Sequence, residues 1–192
     1  MGADALVEAG VDRVRAFFGL PLPEAHRKAL AAYLALCAGA APGFRWTPAE
    51  NLHITIRFLG QVDRSRAEGI AGGVEAIRAA AFDLALGSIG SFRRGKLARV
   101  VWLGLGEGVE DIARLVAIVD AQSVAAGFEA EARPFHAHLT LARARAREGA
   151  LLPDLPPPPR TEAWRAGELV LYRSHLGRGG SVYEPLRVIR LS

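Results

Sequence analysis

Two short stretches of the chain carry the same pattern: Leu52-His53-Ile54-Thr55-Ile56 and, much later, Ala137-His138-Leu139-Thr140-Leu141. In each, His-x-Thr sits in an alternating apolar frame. Alternation with period two marks a half-buried β-strand whose successive side chains point to opposite faces. The pattern therefore calls for two strands, each with its apolar residues against a core, Leu52, Ile54, Ile56 and Phe58 anchoring the first from behind, and with its histidine and threonine together on the other face. Side chains two residues apart on one strand are roughly 6.5–7 Å apart, so an imidazole and a hydroxyl can touch the same small anion, and a phosphate suits that spacing. One such motif alone reads best as a histidine hydrogen-bonded into a sheet. Two of them reverse the reading, because packing gives no reason to repeat the polar pair.

Residues 13–20 alternate as a further strand, closed by Pro21 and Pro23. The helical spacing of Ala25, Leu30, Tyr33, Leu34 and Cys37 predicts a helix over 24–38 with Gly39 as its C-terminal cap. His26 then lies near the helix start, facing solvent. A second helix is predicted over 65–81, with Ile70, Val74, Ile77 and Ala81 on one stripe, and a third over 109–126, ended by Gly127. Strands are predicted at 82–86, 98–105, 168–174 and 182–189, the last two joined by a turn at 177–180. The segment Gly90-Ser91-Phe92-Arg93-Arg94-Gly95-Lys96 reads as a flexible loop. It is either an RNA-contacting loop, since arginine with an aromatic ring can meet phosphate and base together, or a plain hairpin turn. The proline-rich segment 148–159 is too stiff for a helix or a central strand and is expected to cross the surface. This order, with one motif strand in each half, predicts an α+β fold of two similar lobes with a cleft between them. The whole span 1–192 is then a single bilobal domain.

The segments NLHITIRFLG (51–60) and FHAHLTLAR (135–143) resemble the signatures of the two-histidine (2H) phosphoesterases. Within that group they are most similar to the bacterial and archaeal RNA 2′,3′-cyclic phosphodiesterases, historically called 2′-5′ RNA ligases. The resemblance runs from Arg15-Ala16-Phe17-Phe18 to Leu171-Tyr172-Arg173-Ser174 and Tyr183, nearly the whole chain. Two positions depart from it. Ala137 stands where the family commonly has proline, and His136 is an additional histidine, either a support for His138 or a bystander. The resemblance implies two pseudo-symmetric lobes of antiparallel β-sheet with outer helices, the motif strands facing each other across an active-site cleft. It implies His53 and His138 as the catalytic pair, with Thr55, Thr140 and Arg143 binding substrate. Strict alternation puts Arg143 on the face of Leu139 and Leu141, so the strand has to twist or end before Arg143 can reach the cleft.

Two imidazoles, with ordinary pKa values near 6.5, can serve one as base and one as acid at working pH. Opening a strained cyclic phosphate needs both. The threonine hydroxyls can donate to the non-bridging oxygens, which gain charge in the transition state. The reading is metal-independent hydrolysis of RNA 2′,3′-cyclic phosphate, with weak 2′-5′ ligation as its reverse. That the product is a 2′-phosphomonoester is implied by the resemblance alone. No cofactor and no metal are invoked, since a metallohydrolase needs three or more ligands and neither motif contains Asp or Glu. Two other readings stay open: a phosphodiesterase for a small cyclic-phosphate nucleotide, and an RNA-binding module with an idle histidine pair. His175 is expected at the surface, and Phe17 either in the core or stacking on a base.

Composition sets the outer limits. A chain 51% hydrophobic and 23% charged folds rather than staying disordered. Its net charge of +4 is carried almost wholly by arginine, Lys28 and Lys96 being the lysines. Guanidinium forks suit phosphates, although an arginine-rich proteome gives the same surface without RNA. The single cysteine, Cys37, excludes an internal disulfide and any multi-cysteine zinc site, and is expected to be buried. No apolar run approaches the ~18 residues that span a bilayer, and the first residues lack a signal-peptide pattern. A cytoplasmic monomer acting on RNA or nucleotide ends is the expectation.

Overall fold

The aliphatic sides of both motif strands end in one core. A computed structural model describes residues 12–177 and 180–192. The opening residues, read above for a signal peptide, and Arg178 and Gly179, read above as joining the last two strands, lie outside the described residues. In chain order the elements are β1 (Arg13–Pro21), α1 (Glu24–Ala40), β2 (Phe44–Trp46), a 3-10 turn (Ala49–Asn51), β3 (His53–Asp63), α2 (Arg64–Ile77), β4 (Phe82–Arg94), β5 (Leu97–Glu107), α3 (Val109–Ala125), β6 (Leu139–Ala144), β7 (Trp164–Ala166), β8 (Glu168–Gly177) and β9 (Gly180–Arg190). No described helix is long and apolar enough to cross a membrane.

The strands form one antiparallel sheet in the order β7-β4-β5-β6-β3-β1-β8-β9, with β2 added to β6. The fold is thus α+β, antiparallel sheet with outer helices, as expected. Its lobes, however, are not the two halves of the sequence. The β8–β9 hairpin returns to pair with β1, so C-terminal strands complete the lobe that holds His53. The lobes meet where Ile54 of β3 pairs with Leu139 of β6. Leu30, Leu34 and Cys37 of α1, Ile70 and Val74 of α2, and Ile112, Leu115 and Val119 of α3 close over Phe18, Leu20, Ile54, Leu139, Leu141 and Leu171. Each fully buried aliphatic or aromatic side chain of this kind is worth about 1.5–3 kcal/mol, which holds all three helices to one face of the sheet and leaves the other face for the cleft.

Local outcomes differ from the sequence reading for identifiable reasons. The second helix stops at Ile77, because Arg78 adopts a left-handed conformation and its amide donates to the Glu75 carbonyl. The first runs past Gly39 and closes when the Ala41 amide donates to Cys37. Residues 90–94 are not a loop: β4 continues to Arg94, and the turn is confined to Gly95 and Lys96. A Cβ on Gly90 would lie 2.2 Å from the Trp102 ring, so glycine there admits a cross-strand indole rather than marking a turn. His26 is buried, not solvent-facing, and one ring nitrogen lies 2.8 Å from the Glu162 carbonyl. Tyr33, whose hydroxyl donates to Pro156 O at 3.0 Å, ties the proline-rich segment down onto α1, and His26 holds the residues just after it. An extended proline run has no internal hydrogen bonds, so its carbonyls are free to accept such a bond.

Candidate active site

The antiparallel pairing of Ile54 with Leu139 dictates the centre of the site. In an antiparallel ladder, neighbours of a pair face each other in reverse order, so His53 comes opposite Thr140 and His138 opposite Thr55. Both histidines and both threonines are therefore brought together. β6 begins only at Leu139, one residue after the second histidine, because the two strands splay on either side of this pair.

Beyond the threonines each motif strand carries one extra residue at the same place. On β3, Thr55 pairs with Gly19 and Arg57 with Phe18, which leaves Ile56 unpaired. On β6, Thr140 pairs with Trp102 and Ala142 with Val101, which leaves Leu141 unpaired. A bulge re-aims the side chains that follow it. Arg143 pairs with Val100, which shares the Trp102 face of β5, so Arg143 lies on the cleft face with Thr140 and not with Leu139 and Leu141. By the same rule Phe58, paired with Phe17, joins Thr55 on the cleft face, and Arg57 turns inward to an ion pair with Asp120 of α3. Phe58 and Arg143, each five residues after its histidine, are pseudo-symmetric counterparts.

The two imidazoles are held alike. His53 Nδ1 lies 2.8 Å from the Asn51 carbonyl, and His138 Nδ1 bonds the His136 carbonyl at 2.6 Å. A carbonyl only accepts, so Nδ1 is the protonated nitrogen in each and Nε2 is left for the cleft. Thr55 Oγ1 sits 3.1 Å from Nε2 of His53. Aromatic walls flank both rings: Phe17 at 4.7 Å and Tyr183 at 5.0 Å from His53, Phe92 at 5.0 Å from His138. Phe17 is thus buried like a core residue, but on the cleft side of β1, where it seats a histidine. His136 gives its carbonyl to His138, and its ring packs 4.8 Å from Trp102 and 5.3 Å from Phe92.

Burial within these walls pushes the His53 pKa down to about 4, with further lowering by the charges of Arg143 and His138, against the opposing bond to Asn51. His138 is also lowered, first by burial, then by His136 and Arg143. Arg143 therefore acts electrostatically on both rings. Among the described residues no group of three or more His, Cys, Asp or Glu converges to hold a metal ion. His175 is exposed and bonds Glu184 at 2.7 Å, away from this centre. Alternation places Phe58 behind the strand with Ile54, but the bulge at Ile56 turns it out to the cleft face, 58% exposed. Sequence reasoning also missed Asn51 as an anchor and the Phe92–Trp102 wall. Only Gly90, read as a turn, hinted at the last.

Paired motifs on a two-lobed antiparallel sheet define a phosphoesterase of the two-histidine class. The family model described as LigT like Phosphoesterase matches residues 20–102 and again 103–183, one match per motif, and the chain belongs to that family. The RNA 2′,3′-cyclic phosphodiesterase of Escherichia coli (strain K12) is 31% identical over 173 residues, 90% of this chain and 94% of that protein. The protein of the same name from Methanothermobacter thermautotrophicus is 30% identical over 186 residues, 93% and 100% of the two chains. The crystal structure of E. coli LigT complexed with 3′-AMP superposes with a TM-score of 0.81 at 29% identity, covering 94% of this chain and 99% of that one.

Proposed function

We propose that this protein hydrolyses RNA 2′,3′-cyclic phosphate ends to 2′-phosphomonoesters, using His53 and His138 as base and acid and no metal. The observation that carries the reading is the matched anchoring of the two rings, each with Nδ1–H on a backbone carbonyl and Nε2 left for one shared space. The names of the E. coli and M. thermautotrophicus relatives support the substrate class. Crystal complexes of E. coli LigT with 3′-AMP and with phosphate support a nucleotide phosphate in such a cleft.

His53, with its pKa near 4, is neutral at working pH and takes the proton from water at Nε2. The water oxygen bonds to phosphorus as the P–O3′ bond breaks, and O3′ receives a proton from Nε2 of His138. His138 is the less deeply buried ring, and the anionic substrate offsets the positive field of Arg143 and so favours its charged form. Each proton transfer is worth on the order of 10²–10⁴-fold. Thr55, Thr140 and Arg143 hold the non-bridging oxygens. Ligation to a 2′-5′ linkage is not the reversal of this step but the same displacement with the 5′-hydroxyl of a second RNA in place of water, O3′ again leaving with the proton from His138. Incubation with an oligoribonucleotide ending in 2′,3′-cyclic phosphate tests the reading. A 2′-phosphomonoester is expected; an untouched end, or a 3′-phosphate product, contradicts it.

A further inference from the structure

The ladder between β1 and β8 ends at Ala16–Arg173. Beyond it β1 stays with β3 as far as Arg13–Asp63, and β8 stays with β9 as far as Gly177–Gly180. The two strands splay, and the opening between them is a cavity of about 250 Å³ lined chiefly by Arg13, Arg15, Gln61, Arg173, Ser174 and His175. No carboxylate lines it among the described residues. Two of its side chains are already engaged: Arg13 donates to the Gln61 carbonyl at 3.2 Å and lies 3.8 Å from Asp63, and His175 bonds Glu184. Glu184 stands opposite Arg173 in the β8–β9 ladder. Arg15 and Arg173 have no ion-pair partner within 4 Å among the described residues. Arg15, with no ion pair, and Arg173, which feels the Glu184 carboxylate but makes no bond to it within 4 Å, stand beside a serine hydroxyl in a gap between strands. Two guanidiniums so placed match the donor geometry that phosphate selects.

The Arg15 side of the cavity lies in line with the centre of the site, whereas Arg173, paired with the core residue Ala16, reaches the gap from the other face of the sheet. Between Gly19 and Arg13 the cleft-face positions of β1 are Gly19, Phe17, Arg15 and Arg13, two residues apart. Gly19 pairs with Thr55, and Phe17 pairs with Phe58 and packs on His53. At about 3.4 Å per residue, Arg15 is roughly 13 Å along the strand from the level of Thr55, a span that a short stretch of single-stranded RNA covers. Phe58 stands on that path with 58% of its surface exposed, an apolar ring on the cleft face where a base can stack.

We propose that the splayed-strand cavity is a second phosphate subsite, which binds a backbone phosphate of the RNA on the 5′ side of the reacting nucleoside, with an intervening base against Phe58. The 5′ side follows from chemistry, since a 2′,3′-cyclic phosphate is a 3′ end and the polymer continues only in the other direction. The proposal rests on the phosphodiesterase reading of the central site.

The test compares a nucleoside 2′,3′-cyclic phosphate with a triribonucleotide ending in the same group, for the wild type and for the variant Arg15→Ala/Arg173→Ala. Fluorescence anisotropy with a labelled triribonucleotide ending in 2′-phosphate adds a readout that needs no turnover. The wild type is expected to prefer the triribonucleotide. In the variant the ratio of the two kcat/KM values falls about tenfold, mainly through KM, and affinity for the labelled product falls in step. The slope of log affinity against log salt becomes shallower by roughly 0.7 for each phosphate that a guanidinium no longer neutralises. Equal kcat/KM for both substrates in the wild type, or an unchanged ratio and affinity in the variant, overturns the subsite. Hydrolysis of neither substrate, with anisotropy still dependent on Arg15 and Arg173, supports the subsite and overturns the reading of the central site instead.

Discussion

Ile54 of β3 and Leu139 of β6 are paired across the middle of the sheet, both wholly buried, and their pairing sets each histidine opposite the other motif's threonine. Removing either side chain takes away core packing and the register of the site together. Ile54→Ala and Leu139→Ala should each cost about 2–5 kcal/mol, and Ile54→Val about 0.5–1.5 kcal/mol. Urea unfolding measures the loss. At temperatures where the alanine variants remain folded, kcat should fall as well, since a misplacement of about 1 Å can cost on the order of 10²-fold.

His53 links acidity to stability. Its folded pKa is depressed to about 4, chiefly by burial, against about 6.5 in an unfolded chain. Between these values the unfolded state binds more protons, so the contribution is fully present above pH 6.5 and is lost as pH falls towards 4. Urea midpoints at pH 7 and pH 4.5 should therefore drop further for the wild type than for His53→Asn, by on the order of 2 kcal/mol. Parallel drops would show that the ring is not held neutral by its site.

Arg143 should report on both imidazoles. Reference values alone would set the limbs of the kcat/KM profile on either side of 6.5, but burial and Arg143 lower both histidines in the free enzyme. The maximum of kcat/KM is therefore expected below pH 6.5, measured where chemistry is rate-limiting. Arg143→Ala should move both limbs upward and raise KM more than it lowers kcat. An unmoved profile would place the guanidinium outside the cleft's field.

Two glycines on the cleft face give way to rings. A Cβ on Gly90 would sit 2.2 Å from Trp102, and one on Gly19 would sit 3.2 Å from Cδ2 of His53. Gly90→Ala should displace the indole that backs His136 and His138, costing about 1–3 kcal/mol and lowering kcat. Gly19→Ala presses on His53 directly and should lower kcat with a smaller loss of stability. Circular dichroism melts beside steady-state kinetics separate the two effects.

The face that carries the histidines and threonines was legible in the sequence because strand periodicity is local: His53 and Thr55 need only their own neighbours to share a side. The lobe partners were not, because the return of β8–β9 to β1 is a long-range choice that no local pattern encodes. Arg143 shows the limit clearly. Alternation assigns it to the core side, and only the unpaired Leu141, a property of β6 and β5 together, turns it to the cleft. Phe58 was hidden by the same kind of bulge at Ile56. The burial of His26 depends on Glu162 and Trp164, far along the chain, and Phe92 reads as loop because Gly90 and Gly95 signal turns when the facing Trp102 is out of sight.

The most direct test of two-histidine catalysis is single-turnover hydrolysis of an oligoribonucleotide ending in 2′,3′-cyclic phosphate, by chelator-treated wild type, His53→Ala, His138→Ala and the double variant. Each single substitution should cost about 10²–10⁴-fold. The double variant should be within about tenfold of the poorer single one, as for groups that act as a unit. Near-wild-type rates from either folded single variant, or a chelated wild type that is idle until zinc or manganese is restored, would contradict the assignment of the chemistry to His53 and His138.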